Sequence, residues 1–402
     1  MLNPRLNLLT DYPFDRLRHL LGGVEPPQGV TSLALSIGEP QHTPPDMIAR
    51  EIAAHSHLWG RYPPIDGTED FRAAVAGWLN RRFGLPDGMI DPSRQILPVN
   101  GTREALFLAA ILAVPRVKNT LRPAVLLPNP MYHVYVGAGV MAEADVVPLA
   151  TTRETNFLPD LDAIAPDTLA RTALMYLCTP SNPQGSVASL DYLKKAILMA
   201  RKYDFVLAMD ECYSEIYDTA PPPGSASACR DLGGSFANVL TFHSLSKRSS
   251  APGLRSGFVT GDADLLEQFR RLRNFGGATM PLPIMAASAA LWRDDAHVAK
   301  NRTLYSAKFD LAEKVLGDLP GFIRPAAGFF LWLDVAAQGG GETVTRKLWS
   351  EAGLRVLPGA YLSRAGSGGR SPGDDYIRIA LVHDPETTEY ALNRISQVLA
   401  IN

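Results

Sequence analysis

The sequence predicts an α/β protein, with a mostly parallel sheet covered by helices on both faces and a smaller α+β domain after it. Three observations predict this. Between about residues 95 and 262, short apolar runs bounded by turn residues alternate with helical patterns, the rhythm of strands joined by crossover helices. After about residue 283 that rhythm gives way to a long helix, a strand, a Gly-rich loop, a second strand and a final helix. The length, 402 residues, exceeds the size at which a single core stops growing, so two closely associated domains are expected.

Taken in order, the Pro-rich segment 1–45 is expected to pack as an N-terminal arm on the smaller domain, with a large domain at 46–285 and the small one at 286–402. The strands of the large domain are AVLLP (124–128), TALMYLC (172–178), FVLAMD (205–210), NVLTFHS (238–244) and SGFVTG (256–261). Their unbroken apolar character fits strands buried on both faces. Between them, GTREALFLAAILAV and SLDYLKKAILMARKYD read as helices. In the second, Ser189 is placed to cap the N-terminus, and Leu193, Ile197 and Ala200 recur at helical spacing. In the small domain FFLWLD and YIRIAL are the strands, and SRAGSGGRSPGDD reads as a flexible surface loop.

The composition is that of an ordinary globular protein, 46% hydrophobic and 20% charged with a net charge of −2. It offers no basic field for nucleic acid or anionic lipid. MLNPRLNLLTDYPF carries Pro, Asp and Arg where a signal peptide needs an uninterrupted apolar stretch, and no apolar run of about 18 residues follows. The expectation is therefore a cytoplasmic protein without nucleic-acid or membrane partners. Cys178, Cys212 and Cys229 have no paired spacing and no nearby His-x-x-x-His, so neither a disulfide framework nor a metal site is expected. Cys178 and Cys212 read as inert core residues in apolar strands.

Parallel sheets place ligands beyond the carboxyl ends of their strands, and four strand ends here carry reactive side chains. Lys247, in HSLSKR, follows a buried strand, where a desolvated ammonium has a lowered pKa and can form an imine with a carbonyl cofactor. Taken alone it would read as a solvated surface lysine, and its context reverses that reading. Ser244 and Ser246 flank it and Arg255 follows in APGLRSG, supplying hydroxyls and a cation suited to a phosphate. Asp210 closes FVLAMD, where a carboxylate can pair with a protonated ring nitrogen. An apolar run ending in Asp-Glu also resembles the magnesium-binding strand of a nucleotide site, but the chain has no Gly-Lys dipeptide and so no P-loop. Tyr213 is a candidate donor to a phenolic oxygen, or a core tyrosine. Asn182, held in TPSNPQG between two prolines, can contact the same oxygen or simply serve the turn. In VNGTREALFLAA, Gly101 makes a turn into a helix, and the free N–H groups of Thr102 and Arg103 can hold a phosphate.

Together, NGTREAL, PNPMYHVY, TPSNPQG, DECY, SLSKR and GLRSG, in this order and spacing, resemble fold-type I pyridoxal-5′-phosphate (PLP) enzymes of the class I/II aminotransferase family across nearly the whole chain. The resemblance implies a seven-stranded type of sheet, PLP bound to Lys247, and amino-acid and 2-oxo-acid substrates. It also implies a homodimer. Tyr132 would stack on the cofactor ring, and Tyr62 in RYPPIDG would reach the phosphate of the neighbouring subunit's cofactor. Gly38 in LSIGEP would lie by the substrate, and Arg378 in YIRIAL would bind the substrate's α-carboxylate. Two departures stand out: Arg103 where many relatives have small or amide residues, and Met131 before the stacking tyrosine. Within the family, YPFDRLRHLLGGVEPP, LSIGEPQHTPP and LPVNGTREALF are most similar to the bacterial branch acting on N-succinyl-LL-diaminopimelate in lysine biosynthesis, with glutamate and 2-oxoglutarate as the other pair. An aspartate or aromatic specificity is the alternative within the family.

Two readings from other classes compete. GAGVMA (137–142) matches the dinucleotide fingerprint G-x-G-x-x-A, with Glu154 and Asp160 following, as in an NAD-dependent dehydrogenase. PNPMYHVY before it reads poorly as a buried first strand, so small residues at a helix-packing surface are the favoured account. A PLP-binding transcriptional regulator would need an added DNA-binding domain, for which the chain has no room before residue 30.

Overall fold

The computed structural model describes residues 2–9, 11–366 and 368–400. Met1 and Thr10 of the expected arm and Ser367 of the Gly-rich loop lie outside the described residues. Twelve strands are formed among those described: β1 (Leu33–Ala34), β2 (Ile96–Val99), β3 (Ala124–Asn129), β4 (Asp145–Ala150), β5 (Thr172–Cys178), β6 (Val206–Asp210), β7 (Val239–Ser244), β8 (Gly257–Gly261), β9 (Phe330–Asp334), β10 (Leu354–Arg355), β11 (Leu357–Pro358) and β12 (Tyr376–Ala380). Seven of them make one sheet in the order β2-β8-β7-β6-β5-β3-β4. β3 to β7 pair in parallel, whereas β8 is antiparallel to both of its neighbours, so it alone runs against the rest.

Alternation along these buried strands feeds two cores. Leu126, Met175, Leu177, Leu207 and Met209 face one helical layer, and Val125, Leu127, Leu174, Tyr176 and Ala208 face the other. The helix Leu190–Tyr203 is capped by Ser189, whose side chain accepts from the Tyr192 N–H, and it buries Leu193, Ile197 and Ala200 as its periodicity requires. GAGVMA lies within and just past the helix His133–Met141. There a Cβ on Gly139 would come within 2.8 Å of Val146, so the small residues serve helix-on-sheet packing.

The smaller layer is an antiparallel sheet β11-β12-β9 backed by the helices Ala296–Leu316, Gly341–Ala352 and Pro385–Leu399. The single long helix expected after residue 283 is instead two, Leu282–Arg293 and Ala296–Leu316. The break falls at Asp294, whose carboxylate accepts from the His297 N–H at 3.0 Å and so satisfies one free N–H in the first turn of the second helix. The first of the two runs across the expected boundary at 285/286, and its Met285, Leu291 and Trp292 belong to the core of the large sheet. Of the N-terminal segment, β1 pairs in parallel with β10, and Trp349 donates to the Val24 carbonyl at 2.7 Å. Cys212 corrects the expectation of a strand core residue: it sits in the turn after β6, half-buried, with its sulfur 3.1 Å from the Thr102 hydroxyl.

Candidate active site

Four segments of the large sheet converge at the carboxyl ends of its strands on one cavity of about 580 Å³. Lys247 enters it from the short helix after β7. Ser244 shapes that turn, accepting from the Ser246 N–H at 3.1 Å. The Lys247 ammonium donates to the Gly38 carbonyl and lies 5.2 Å from the Phe329 ring centroid. Burial lowers its pKa to about 8, and no ion pair holds it among the described residues. Gly38 is small of necessity, because a Cβ there would lie 2.4 Å from the Phe330 ring.

At one end of the cavity the helix Thr102–Ala113 begins, its first-turn N–H groups having no intrahelical acceptor. Gly101 turns the chain into it at φ +77°, where a Cβ would lie 2.2 Å from the Arg255 guanidinium. Arg255 and Ser246 line the same end. At the cavity floor, Asp210 closes β6 almost fully buried, accepting from the Tyr135 hydroxyl at 2.7 Å and from the Cys212 N–H at 3.2 Å. No ion pair reaches it among the described residues, and burial holds its pKa above the ordinary carboxylate range. Tyr132, Tyr213 and Asn182 line the walls.

At the far end Arg378 projects from β12. Its neighbours Ile377 and Ile379 face the small-domain core, while Arg378 lies on the cavity side over the Phe330 ring, 4.3 Å from its centroid. It donates to the Asn182 side-chain oxygen at 3.0 Å and to the Ser36 carbonyl at 2.6 Å. Its Nε is buried and without a partner among the described residues, so the guanidinium keeps donor capacity to spare.

A profile of the family described as aminotransferase class I and II matches residues 30–395. The chain belongs to that family. An aminotransferase of Neisseria meningitidis Z2491, solved at 1.91 Å, superimposes with a TM-score of 0.94 at 39% identity, covering 99% of this chain and 100% of the other. An LL-diaminopimelate aminotransferase of Syntrophobacter fumaroxidans is 32% identical over 98% of each chain. A probable N-succinyldiaminopimelate aminotransferase of Thermus thermophilus shares the fold, with a TM-score of 0.81 over 98% of this chain and all of the other, at 23% identity.

Class I and II aminotransferases use pyridoxal 5′-phosphate, and the residues of this site fit it. The glycine cradle at Gly101, the free helix start and Arg255 suit a phosphate, and a desolvated amine and an unpaired buried carboxylate lie beyond them. The sequence-derived candidates line this cavity with two exceptions, Gly101, which sits just behind Thr102 at its edge, and Tyr62. Tyr62 is fully exposed on this chain, outside the cavity. Arg103 lines it, but its Nε donates to the Tyr132 hydroxyl at 2.7 Å. Sequence reading missed Tyr135, which holds Asp210 from 75 positions away, and also Tyr12 and His133, which line the cavity. The only signal for Tyr135 was its place one helical turn after Tyr132.

Proposed function

We propose that this aminotransferase works through Lys247, which carries PLP and moves the substrate's α-proton. The supporting observation is an amine of lowered pKa between a phosphate-suited helix start and a guanidinium with an unpaired donor. Bound PLP supplies an aldehyde that links covalently to amines and a ring that accepts the electron pair left by a departing proton. In this reading Gly101, Thr102, Arg103, Ser244, Ser246 and Arg255 hold the phosphate, and Tyr62 of a second copy in a homodimer reaches it. Tyr132 covers the ring face, Tyr213 and Asn182 donate to the phenolic oxygen, and Asp210 faces the ring nitrogen. Arg378 receives the α-carboxylate beside Gly38. Freed by the incoming substrate amine, Lys247 Nζ takes the proton from the substrate Cα, and it returns a proton to Cα when a 2-oxo acid is converted.

Arg378→Lys should raise KM about tenfold or more for amino and 2-oxo substrates alike, because an ammonium cannot reproduce the paired hydrogen bonds of a guanidinium to a carboxylate. Affinity for PLP, followed by absorbance titration, should hardly move. An unchanged KM would remove Arg378 from the substrate site.

For the substrate we infer N-succinyl-LL-2,6-diaminopimelate, exchanged with 2-oxoglutarate in lysine biosynthesis, on the strength of the N-terminal sequence likeness. The Syntrophobacter relative, named for LL-diaminopimelate, favours the unsuccinylated compound as a second reading. A panel of donors assayed with 2-oxoglutarate decides. The succinylated donor should exceed aspartate and phenylalanine by more than about tenfold in kcat/KM, a gap of about 1.4 kcal/mol. A faster LL-diaminopimelate selects the second reading, and a faster aspartate or phenylalanine ends both.

A further inference from the structure

The cavity holding Lys247 and Arg378 does not end at Tyr12 and His133. These side chains, in edge-to-face contact at 4.7 Å, also line a second cavity of about 290 Å³, so they stand between the two chambers. Phe107 and Met131 give the second chamber apolar walls, and Arg16 and Arg364 bring two cations to it. Arg16 is anchored, its guanidinium carbon 3.9 Å from the centroid of Tyr361, itself a wall residue. Arg364 is fixed through its backbone: its N–H donates to the Asn129 side-chain oxygen at 2.9 Å, and its carbonyl accepts from the Asn129 amide at 2.8 Å. Asn129 ends β3, so this loop is tied to the large sheet. Neither arginine is ion-paired among the described residues, although Asp11 also lines the chamber. His133 adds no charge at neutral pH, since burial and the nearby Arg103 and Arg378 lower its pKa to about 4.

Unpaired guanidiniums beside apolar walls, joined to a site that already has its own carboxylate receptor, describe a place for a second anion on a carbon chain. We propose that the second chamber seats the distal arm of the amino substrate. The arm's methylenes lie along Phe107 and Met131, and its terminal carboxylate is received by Arg16 and Arg364. The substrate class is then an α-amino acid whose long side chain ends in a carboxylate, a feature common to both diaminopimelate readings. The inference rests on the aminotransferase reading of the first cavity.

The test compares 2-aminopimelate with its ω-amide as donors to 2-oxoglutarate, using the holoenzyme. The two differ only at the distal end. In the wild type the carboxylate should be favoured in kcat/KM by about tenfold or more, and in Arg16→Gln/Arg364→Gln the ratio should fall to within about twofold of unity. A wild-type ratio near one, or a ratio retained in the double variant, overturns the proposal while leaving the aminotransferase reading intact. Transfer from no donor at all would instead overturn that reading. Where the double variant fails to fold, the wild-type ratio and the two single variants still decide.

Discussion

Lys247→Ala is expected to abolish turnover, lowering kcat by more than about 10⁴-fold, the upper end of what one positioned acid–base group contributes. The loss should reach that end because one amine performs two tasks, covalent attachment and proton transfer. Its surroundings suit both. The side chain sits among Gly38, Tyr213 and Phe329 with no ion-paired carboxylate among the described residues, so the neutral, nucleophilic form is within reach near neutral pH, its pKa being about 8. PLP should still bind noncovalently, because the residues at the helix start and Arg255 are untouched. Borohydride treatment followed by peptide mapping should fix the cofactor to Lys247 in the wild type and to no lysine in the variant. Near-normal turnover, or fixation at another lysine, would end the assignment.

Legibility in the sequence follows burial. The strands read from their apolar runs, among them TALMYLC and FVLAMD, are central and buried on both faces, and those runs have sharp ends. β4 escapes such reading because it is an edge strand, only half-buried, with Asp145 and Pro148 interrupting its apolar pattern. The reversed direction of β8 leaves no trace, since an apolar run carries no sense of direction. The site is legible where reactive residues close strands, as at Asp210 and beyond Ser244. It is not legible where side chains meet across long separations. The contacts of Tyr135 with Asp210, Arg103 with Tyr132, and Arg378 with Asn182 have no periodicity to reveal them. The placement of Arg378 itself can be read because alternation in YIRIAL puts it opposite Ile377 and Ile379, and those two do enter the core.

Asp210→Asn is expected to slow the single-turnover rate with a saturating amino donor by about 10²- to 10³-fold, the scale seen when one preorganised electrostatic contact is removed. Asn has the same shape: its oxygen can still accept from the Cys212 N–H, while its amide NH2 takes the place of the second oxygen and donates to the Tyr135 hydroxyl oxygen, so the fold should persist. What disappears is the charge. The carboxylate is buried with only neutral hydrogen-bond donors on it among the described residues, and its pKa is raised first of all by that burial, which the charge of Lys247 offsets only in part. A protonated ring nitrogen would complete that offset, and a neutral amide cannot keep it protonated. The same shift sets the sign of a stability control. A carboxyl whose folded pKa lies above its unfolded value favours the fold at low pH and loses that contribution as pH rises through the folded pKa. Above that pH the charged, unpaired Asp210 is a cost to the cofactor-free protein. The cofactor-free Asn variant should then melt no lower than the wild type, while the holoenzyme loses both its rate and the wild-type pH dependence of its visible absorbance band. An unchanged single-turnover rate would make Asp210 a structural residue, and a lower melting temperature without cofactor would show that its charge is already compensated within the chain.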